Sequence, residues 1–257
     1  MVSRDDPENP PLCVCARIES KVRYGSAGWL HILDNKRDRS RSPRQREIRI
    51  DCRRIEDHGA EARRYAEAGL ARLPTLSEEL GVSVESLQRL GVGWWNSQTA
   101  WTFPLCNAAG VCVGINRRFL DGSKRVVAGH RIGLYLPADL PLILAGQTLL
   151  VAEGGTDAAA GLDFGFWTIG RFSCESCVDD LRQLVQHRQP RRVVIVSDAD
   201  EPGRRGAARL AKSLRRFCVY VSVIEPPAGS KDLRQWRQQG ASVEDLRLLI
   251  EEVTNVE

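Results

Sequence analysis

The feature of this 257-residue chain that most constrains its fold is a run of four β-branched apolar residues, Val193–Val196, followed closely by two aspartates. Such a run is typical of a strand buried inside a parallel sheet. Asp198 and Asp200 come next, and Pro202-Gly203 then opens a helix-forming segment. In an open α/β sheet, ligands bind at the carboxyl ends of the strands. The two carboxylates could share a divalent cation such as Mg²⁺, or serve only as turn and N-cap residues.

The same strand-to-helix alternation extends from about residue 142 to the C-terminus. Strands are predicted over residues 148–152, 166–169, 193–197 and 218–224. Helices are predicted from residue 156 onward and over 174–187, 203–217 and 231–253. Strands and helices that alternate at this spacing predict an α/β fold, with a four-stranded parallel sheet flanked by helices on both sides.

A different pattern precedes this region. Residues 54–92 favour short helices, with Ser77 and Ser83 as candidate N-caps. Residues 93–141 predict a small antiparallel sheet, because apolar runs alternate with turn sequences. Basic side chains cluster near its turns at Arg117, Arg118 and Lys124. They could hold a template strand or a triphosphate, or they could form an ordinary exposed strand face.

The N-terminal segment, residues 1–53, combines a few cysteines with a dense basic run over residues 36–54. Cys13 and Cys15 are the candidate zinc ligands, with His31 and Cys52 further along the chain. A zinc ribbon uses two Cys-x2-4-Cys pairs, and this spacing favours buried or incidental cysteines over a bound ion. The basic run could follow a phosphate backbone or act as a soluble linker.

Composition narrows the class of protein. The first residues are polar and proline-rich, which is unlike a signal peptide, and the longest apolar stretch, over 140–152, is too short and too interrupted to span a bilayer. The eight cysteines show no disulfide-like spacing, which predicts reduced thiols and a cytoplasmic location. The net charge is +4, and arginines cluster in the first quarter and again around residues 204–216, which fits a nucleic-acid partner.

Two further strand ends carry polar residues that suit phosphate chemistry. Glu153-Gly154-Gly155 follows the first predicted parallel strand, and Lys231-Asp232 follows the fourth. The carboxyl ends of neighbouring parallel strands meet at one edge of the sheet, so these groups are expected to converge with Asp198 and Asp200. Crowded acids repel one another, and a divalent ion relieves that repulsion. The sequence therefore predicts metal-dependent phosphoryl transfer on a nucleic acid.

These motifs resemble those of the TOPRIM domain, the catalytic module of bacterial-type primases, topoisomerases and some nucleases. Its signature is a strand that ends in Glu-Gly and a later strand that ends in Asp-x-Asp, here Glu153-Gly154 and Asp198-x-Asp200. The finer similarity is to bacterial and phage primases, and it extends over about residues 100–240. The matching positions are Glu153, Gly154 and Asp157 in the first motif, Gly203 and Gly206 after the aspartates, Lys231-Asp232 before the last helices, and Gly110, Gly114 and Arg118 in the upstream hairpin.

The resemblance implies a Mg²⁺- or Mn²⁺-dependent nucleotidyltransferase that synthesises RNA primers on single-stranded DNA from ribonucleoside triphosphates. It also implies a separate replicative helicase as a partner. It implies Glu153 as general acid/base or metal ligand, and Asp198 and Asp200 as metal ligands. The implied supporting groups are Asp157, Lys231 and Asp232 at the acidic site, and Arg117, Arg118 and Lys124 for template or nucleotide.

Two other functions fit the same residues: a TOPRIM nuclease that cuts instead of joining, and a non-catalytic DNA-binding accessory protein of a replication or mobile-element system. The stretch from Cys13 to His31 resembles the latter half of the primase zinc domain without its first cysteine pair, which favours the accessory function somewhat. The resulting organisation is a degenerate or truncated zinc-domain remnant and basic linker (1–53), a helical segment (54–92), a small antiparallel β subdomain (93–141) and a TOPRIM domain with C-terminal helices (142–257).

Overall fold

The computed structural model describes residues 12–15, 22–23, 29–32 and 56–254, and the chain divides into two units, Met1–Arg54 and Ile55–Glu257. In the first unit, β1 (Leu12–Cys15), β2 (Val22–Arg23) and β3 (Trp29–Ile32) form an antiparallel sheet in the order β1-β3-β2. Cys13 pairs with His31 in its register. The side chains of these strands, Cys52 and the basic run over 36–54 lie outside what the structure describes, so the zinc and linker hypotheses stay predictions.

The second unit begins with three short helices: α1 (Gly59–Gly69), α2 (Leu73–Leu80) and α3 (Val84–Arg89). Ser83 caps α3 as predicted, and its hydroxyl accepts the Ser86 N–H at 3.0 Å. The predicted cap at Ser77 was wrong. Ser77 lies inside α2, which starts a turn earlier because Pro74 occupies the first helical turn, where its missing N–H costs no hydrogen bond.

A small antiparallel sheet follows, as predicted, and it has four strands. It consists of β4 (Gly93–Trp95), β5 (Ala100–Cys106), β6 (Cys112–Phe119) and β7 (Lys124–Val126), in that order. Successive residues of a strand point to opposite faces. Asn116 and Arg118 of β6 therefore point to one face of the sheet, and Arg117 points to the other.

The second sheet is parallel and four-stranded, which confirms the predicted fold class. Its strands are β8 (Thr148–Glu153), β9 (Trp167–Arg171), β10 (Arg192–Val196) and β11 (Tyr220–Ile224), in the order β11-β10-β8-β9. In this order β8 and β10 are hydrogen-bonded neighbours, with Val151 opposite Ile195. The strand ends that carry Glu153 and Asp198 therefore lie side by side.

Five helices accompany the parallel sheet: α4 (Gly155–Asp163), α5 (Val178–Arg188), α6 (Glu201–Leu214), α7 (Leu233–Gln238) and α8 (Val243–Thr254). Two boundaries differ from expectation. Helix α5 begins after Cys177, whose φ is +60°, so Cys174 and Cys177 precede the helix instead of packing along it. The predicted C-terminal helix is two helices, because Gly240 between them has a φ of +97°, a left-handed conformation that ends a helix.

The parallel strands are buried on both faces. In β10, Val194 and Val196 join the core formed with α4, α7 and α8, while Val193 and Ile195 join the core formed with α5 and α6. The first of these cores continues into α2, α3 and the antiparallel sheet through residues such as Leu87. This two-sided burial explains why the strand sequence is a continuous apolar run.

A short connecting segment joins the two sheets. Leu134 bridges to Cys106 at the end of β5, and Tyr135 bridges to Gly170 in β9. Gly155, the first residue of α4, packs closely against Phe103 of β5. A Cβ atom at this position would lie only 2.9 Å from the Phe103 ring. These contacts fix the antiparallel sheet against the start of α4, beside Glu153. No helix within the described residues is long and apolar enough to cross a membrane.

Candidate functional site

Carboxylates gather at the carboxyl edge of the parallel sheet. Glu153 is the last residue of β8, and Asp198 follows β10 by two residues. The two residues are close because β8 and β10 are paired neighbours. The pKa of Asp198 is raised to about 7, first by burial and then by Glu153, Asp232 and Asp200. Lys231 opposes that rise. The structure therefore brings the sequence-predicted acids into one electrostatic group.

Asp200 and Asp232 each begin a helix. The Asp200 carboxylate accepts the Gly203 N–H at 2.7 Å at the start of α6, and the Asp232 carboxylate accepts the Gln235 N–H at 2.7 Å at the start of α7. The Ala199 N–H also donates to the Lys231 carbonyl at 2.8 Å, which ties the two loops together. Capping engages Oδ1 of each aspartate, so the cap role and a role in the site are compatible.

Asp157 links the site to its neighbouring helices. It is buried in the first turn of α4, and its Oδ1 accepts the Arg234 N–H of α7 at 3.0 Å. Burial raises its pKa to about 7, with Asp232 and Asp198 adding to the rise. Asp157 thus holds α7, and with it Asp232, against the first motif.

Arg171 is a member of this site that the sequence interpretation missed. It ends β9 directly opposite Glu153 in the strand register and is only 2% exposed. Its guanidinium donates to the Cys174 carbonyl at 2.6 Å, and although burial lowers its pKa, Glu153 is the first group that opposes this. An arginine at the end of an otherwise apolar strand is the signal that could have found it, since a buried cation requires a charged partner.

A basic cleft opens between the antiparallel sheet and the start of α4. Its lining residues are Phe103, Asn116, Arg118, Lys124, Tyr135, Gly155 and Thr156. Asn116 donates to the Tyr135 hydroxyl at 2.8 Å, while its own buried Oδ1 accepts no hydrogen bond from the described residues. The predicted residues Arg118 and Lys124 thus lie together beside the first acidic motif.

Arg117 does not reach this cleft. Since β6 alternates its faces, Arg117 points away from Arg118 and lies over Trp95, with its guanidinium carbon 5.1 Å from the ring centroid. Arg118 itself donates to Glu79 of α2 at 2.8 Å. The structure therefore separates the two neighbouring arginines that the sequence had grouped.

The acidic edge offers oxygen ligands, which suit Mg²⁺ or Mn²⁺. The Asp198 carboxylate receives no hydrogen bond from the described residues, and burial, followed by the neighbouring acids, raises its pKa. Both observations fit a divalent cation. Glu153, Asp198 and Asp200 do not, however, all bring a carboxylate oxygen within 4.8 Å of one another; within the described residues, His58, Glu61 and His130 are the group that meets this distance.

Comparisons with known proteins bear on the fold. No protein-family model matches the chain, and no curated protein sequence matches it. Solved structures do match. The Escherichia coli primase catalytic core is 17% identical with a TM-score of 0.57, covering 77% of this chain and 79% of that one. The fold is that of primase catalytic cores.

Two further solved structures match the chain with the same fold. A DnaG primase catalytic domain bound to single-stranded DNA is 16% identical with a TM-score of 0.58, and the match covers 75% of this chain and 76% of that one. The RNA polymerase domain of Mycobacterium tuberculosis primase is 18% identical with a TM-score of 0.55, covering 75% and 80%. The TOPRIM-containing primase fold expected from the motifs is thereby confirmed, while the roles of the individual residues stay predictions.

Proposed function

We propose that this chain is a primase-type nucleotidyltransferase that joins ribonucleotides into RNA on a single-stranded DNA template. The observation that carries the proposal is the acidic edge of the parallel sheet, where the neighbouring strand ends bear Glu153, Asp198 and Asp200 beside a basic cleft in a primase-core fold. Nucleotide transfer needs both parts, because the acids bind metal and the cations bind phosphate.

At the acidic edge, Asp198 and Asp200 are the proposed ligands of Mg²⁺ or Mn²⁺, and Glu153 is a further ligand or the general acid/base. The ion, when bound, lowers the pKa of the attacking 3′-hydroxyl and offsets charge on the phosphate. Arg171 limits the repulsion around Glu153 from the strand opposite. Asp157 is a positioning residue, since it fastens the helix that Asp232 begins.

In the cleft, Arg118 and Lys124 are the proposed phosphate contacts for the template or the incoming nucleotide. Both line the same opening as Gly155 and Thr156 at the start of α4. The ring of Tyr135 and the amide of Asn116, which are joined by a hydrogen bond, form its wall. Arg117 takes part only indirectly, by packing over Trp95 on the other face of β6.

The proposed nucleic-acid partner is single-stranded DNA, as in the DNA-bound primase domain of the same fold. A replicative helicase is the proposed protein partner, because a further structure of this fold is the primase fragment of the bacteriophage T7 primase-helicase protein.

The deciding experiment supplies the full chain with single-stranded DNA, Mg²⁺ and labelled ribonucleoside triphosphates. We expect labelled oligomers, reduced by about 100-fold or more in Asp198→Asn, since that variant loses a metal ligand. Asp179→Asn, an exposed aspartate on α5, is the matched control and should retain activity. Shortened DNA without labelled product would identify a nuclease, and DNA binding without either product would identify an accessory protein. Both results contradict the proposal.

A further inference from the structure

Three side chains that could ligate a metal meet at the start of α1, outside the acidic edge. His58 immediately precedes α1, Glu61 lies in its first turn, and His130 belongs to the segment that follows β7. One ligand atom from each lies within 4.8 Å of the other two. Since 72 positions of sequence separate His58 from His130, only the tertiary fold brings them together.

The distances suit a shared ion better than direct hydrogen bonds. Glu61 Oε2 lies 3.8 Å from His58 Nδ1 and 3.8 Å from His130 Nε2, and both distances exceed hydrogen-bond length. Ligand atoms around a tetrahedral Zn²⁺ ion are separated by roughly 3.4 Å, given metal–ligand bonds of about 2.1 Å. Both distances from Glu61 are within a few tenths of an ångström of that spacing, and the two histidine nitrogens lie within 4.8 Å of each other. To direct both nitrogens at one ion, the stacked imidazole rings must turn apart.

The surroundings hold these ligands in place. The side chains of His58, Glu61 and His130 are 15%, 25% and 9% exposed. The Tyr65 hydroxyl donates to Glu61 Oε1 at 2.9 Å, which leaves Oε2 directed toward the histidines. The two imidazole rings are stacked with their centroids 3.6 Å apart. The hydrogen bond from Tyr65 is of the kind by which outer partners orient the ligands of metal sites.

Charge around the cluster is balanced. Arg117 is close enough to act on His130, but so are the carboxylates of Glu56 and Glu61. Glu56 Oε2 lies 4.0 Å from His58 Nε2, so a second carboxylate borders the histidine pair at a distance longer than a hydrogen bond.

We propose that His58, Glu61 and His130 form a binding site for a divalent transition-metal ion, with Zn²⁺ as the ion that two imidazoles and one carboxylate favour. Water completes the coordination. The ion fastens the start of α1 to the segment after β7, the same segment that leads to Tyr135 in the cleft. This site differs in ligand type from the all-oxygen acidic edge, which favours Mg²⁺.

The test measures Zn²⁺ binding to the full chain without nucleotide or DNA, so that it is independent of the proposed function. Cys13 and Cys15 are first replaced by serine, because these thiols could hold zinc in the other unit. Equilibrium dialysis should then give one bound Zn²⁺ per chain, and Mg²⁺ should not displace it. Co²⁺ at the site should show no sulfur-to-metal charge-transfer absorption, since no thiol is a ligand.

Variants assign the site. His130→Gln and Glu61→Gln should each weaken Zn²⁺ binding by more than about 100-fold, while Tyr65→Phe, which keeps the ring, should weaken it by roughly tenfold. His187→Gln is the matched control, because His187 is exposed on α5 and should not matter. If the parent binds no Zn²⁺, or if His130→Gln and Tyr65→Phe bind it as tightly as the parent, the site does not exist. The Tyr65 variant keeps the test decisive should the histidine variant fail to fold.

Discussion

Replacing Asp198 by asparagine should stabilise the metal-free protein while abolishing its response to Mg²⁺. The Asp198 pKa is raised to about 7, chiefly by burial and by the neighbouring Glu153. Its carboxylate receives no hydrogen bond from the described residues, so the amide loses no contact. The substitution thus removes a repulsive charge and little else.

The magnitude follows from the pKa. A rise from 3.8 to about 7 would correspond to roughly 4 kcal/mol if it acted fully on the folded state. Because the Asp198 side chain is partly exposed, solvent screening reduces this, and we expect a gain of about 1–2 kcal/mol at about pH 8. For a chain of this size, the melting temperature should rise by roughly 2–8 °C.

The pH dependence has a definite sign. Since the folded state holds the Asp198 proton more tightly than the unfolded state, the free energy of unfolding should fall as pH rises from about 4 to about 7. In Asp198→Asn, the free energy of unfolding should not show this decrease with pH. The variant and the wild type should be about equally stable near pH 4. Urea unfolding in EDTA at several pH values measures the difference.

Mg²⁺ should offset most or all of this difference in stability. At ten times its dissociation constant, the ion should stabilise the wild-type protein by about 1.4 kcal/mol and the variant not at all. Asp179→Asn, with its exposed carboxyl, should behave like the wild type under every condition. The reasoning is refuted if Asp198→Asn lowers stability in EDTA at about pH 8, because Asp198 would then be stabilising instead of repelled.

Three other substitutions test the rest of the site. Arg118→Ala should weaken single-stranded DNA or nucleotide binding by about tenfold and flatten its salt dependence, as measured by fluorescence anisotropy, while the exposed Arg191→Ala should not. Arg171→Met should lower the free energy of unfolding by about 1–3 kcal/mol in urea, because it leaves the Cys174 carbonyl without its donor and removes the positive charge that acts on Glu153; an unchanged value would show that neither interaction contributes. Gly155→Ala should lower the free energy of unfolding by about 1–3 kcal/mol in the same assay, since its Cβ would lie 2.9 Å from Phe103. An unchanged free energy of unfolding would mean that Phe103 can move to make room for the methyl group.

Much of the fold followed from the sequence because its signals are local. The apolar run Val193–Val196 predicted a strand buried on both faces, and β10 is such a strand. The turn and cap residues placed most element boundaries within a few residues. Two positions were predicted wrongly because the same residue type occurs both inside and at the end of a helix. Ser77 lies inside α2 instead of capping it, and Gly240 divides the last helical segment into two helices.

The sequence by itself determined that Asp198 and Asp200 would follow a parallel strand, as Glu153 follows another, because hydrophobic periodicity marks where strands end. Only the tertiary structure decided what lies around them. It set Arg171 opposite Glu153 and turned Arg117 away from the cleft. Strand register and helix packing are fixed by contacts between distant segments, and no local pattern encodes which side chains those contacts bring together.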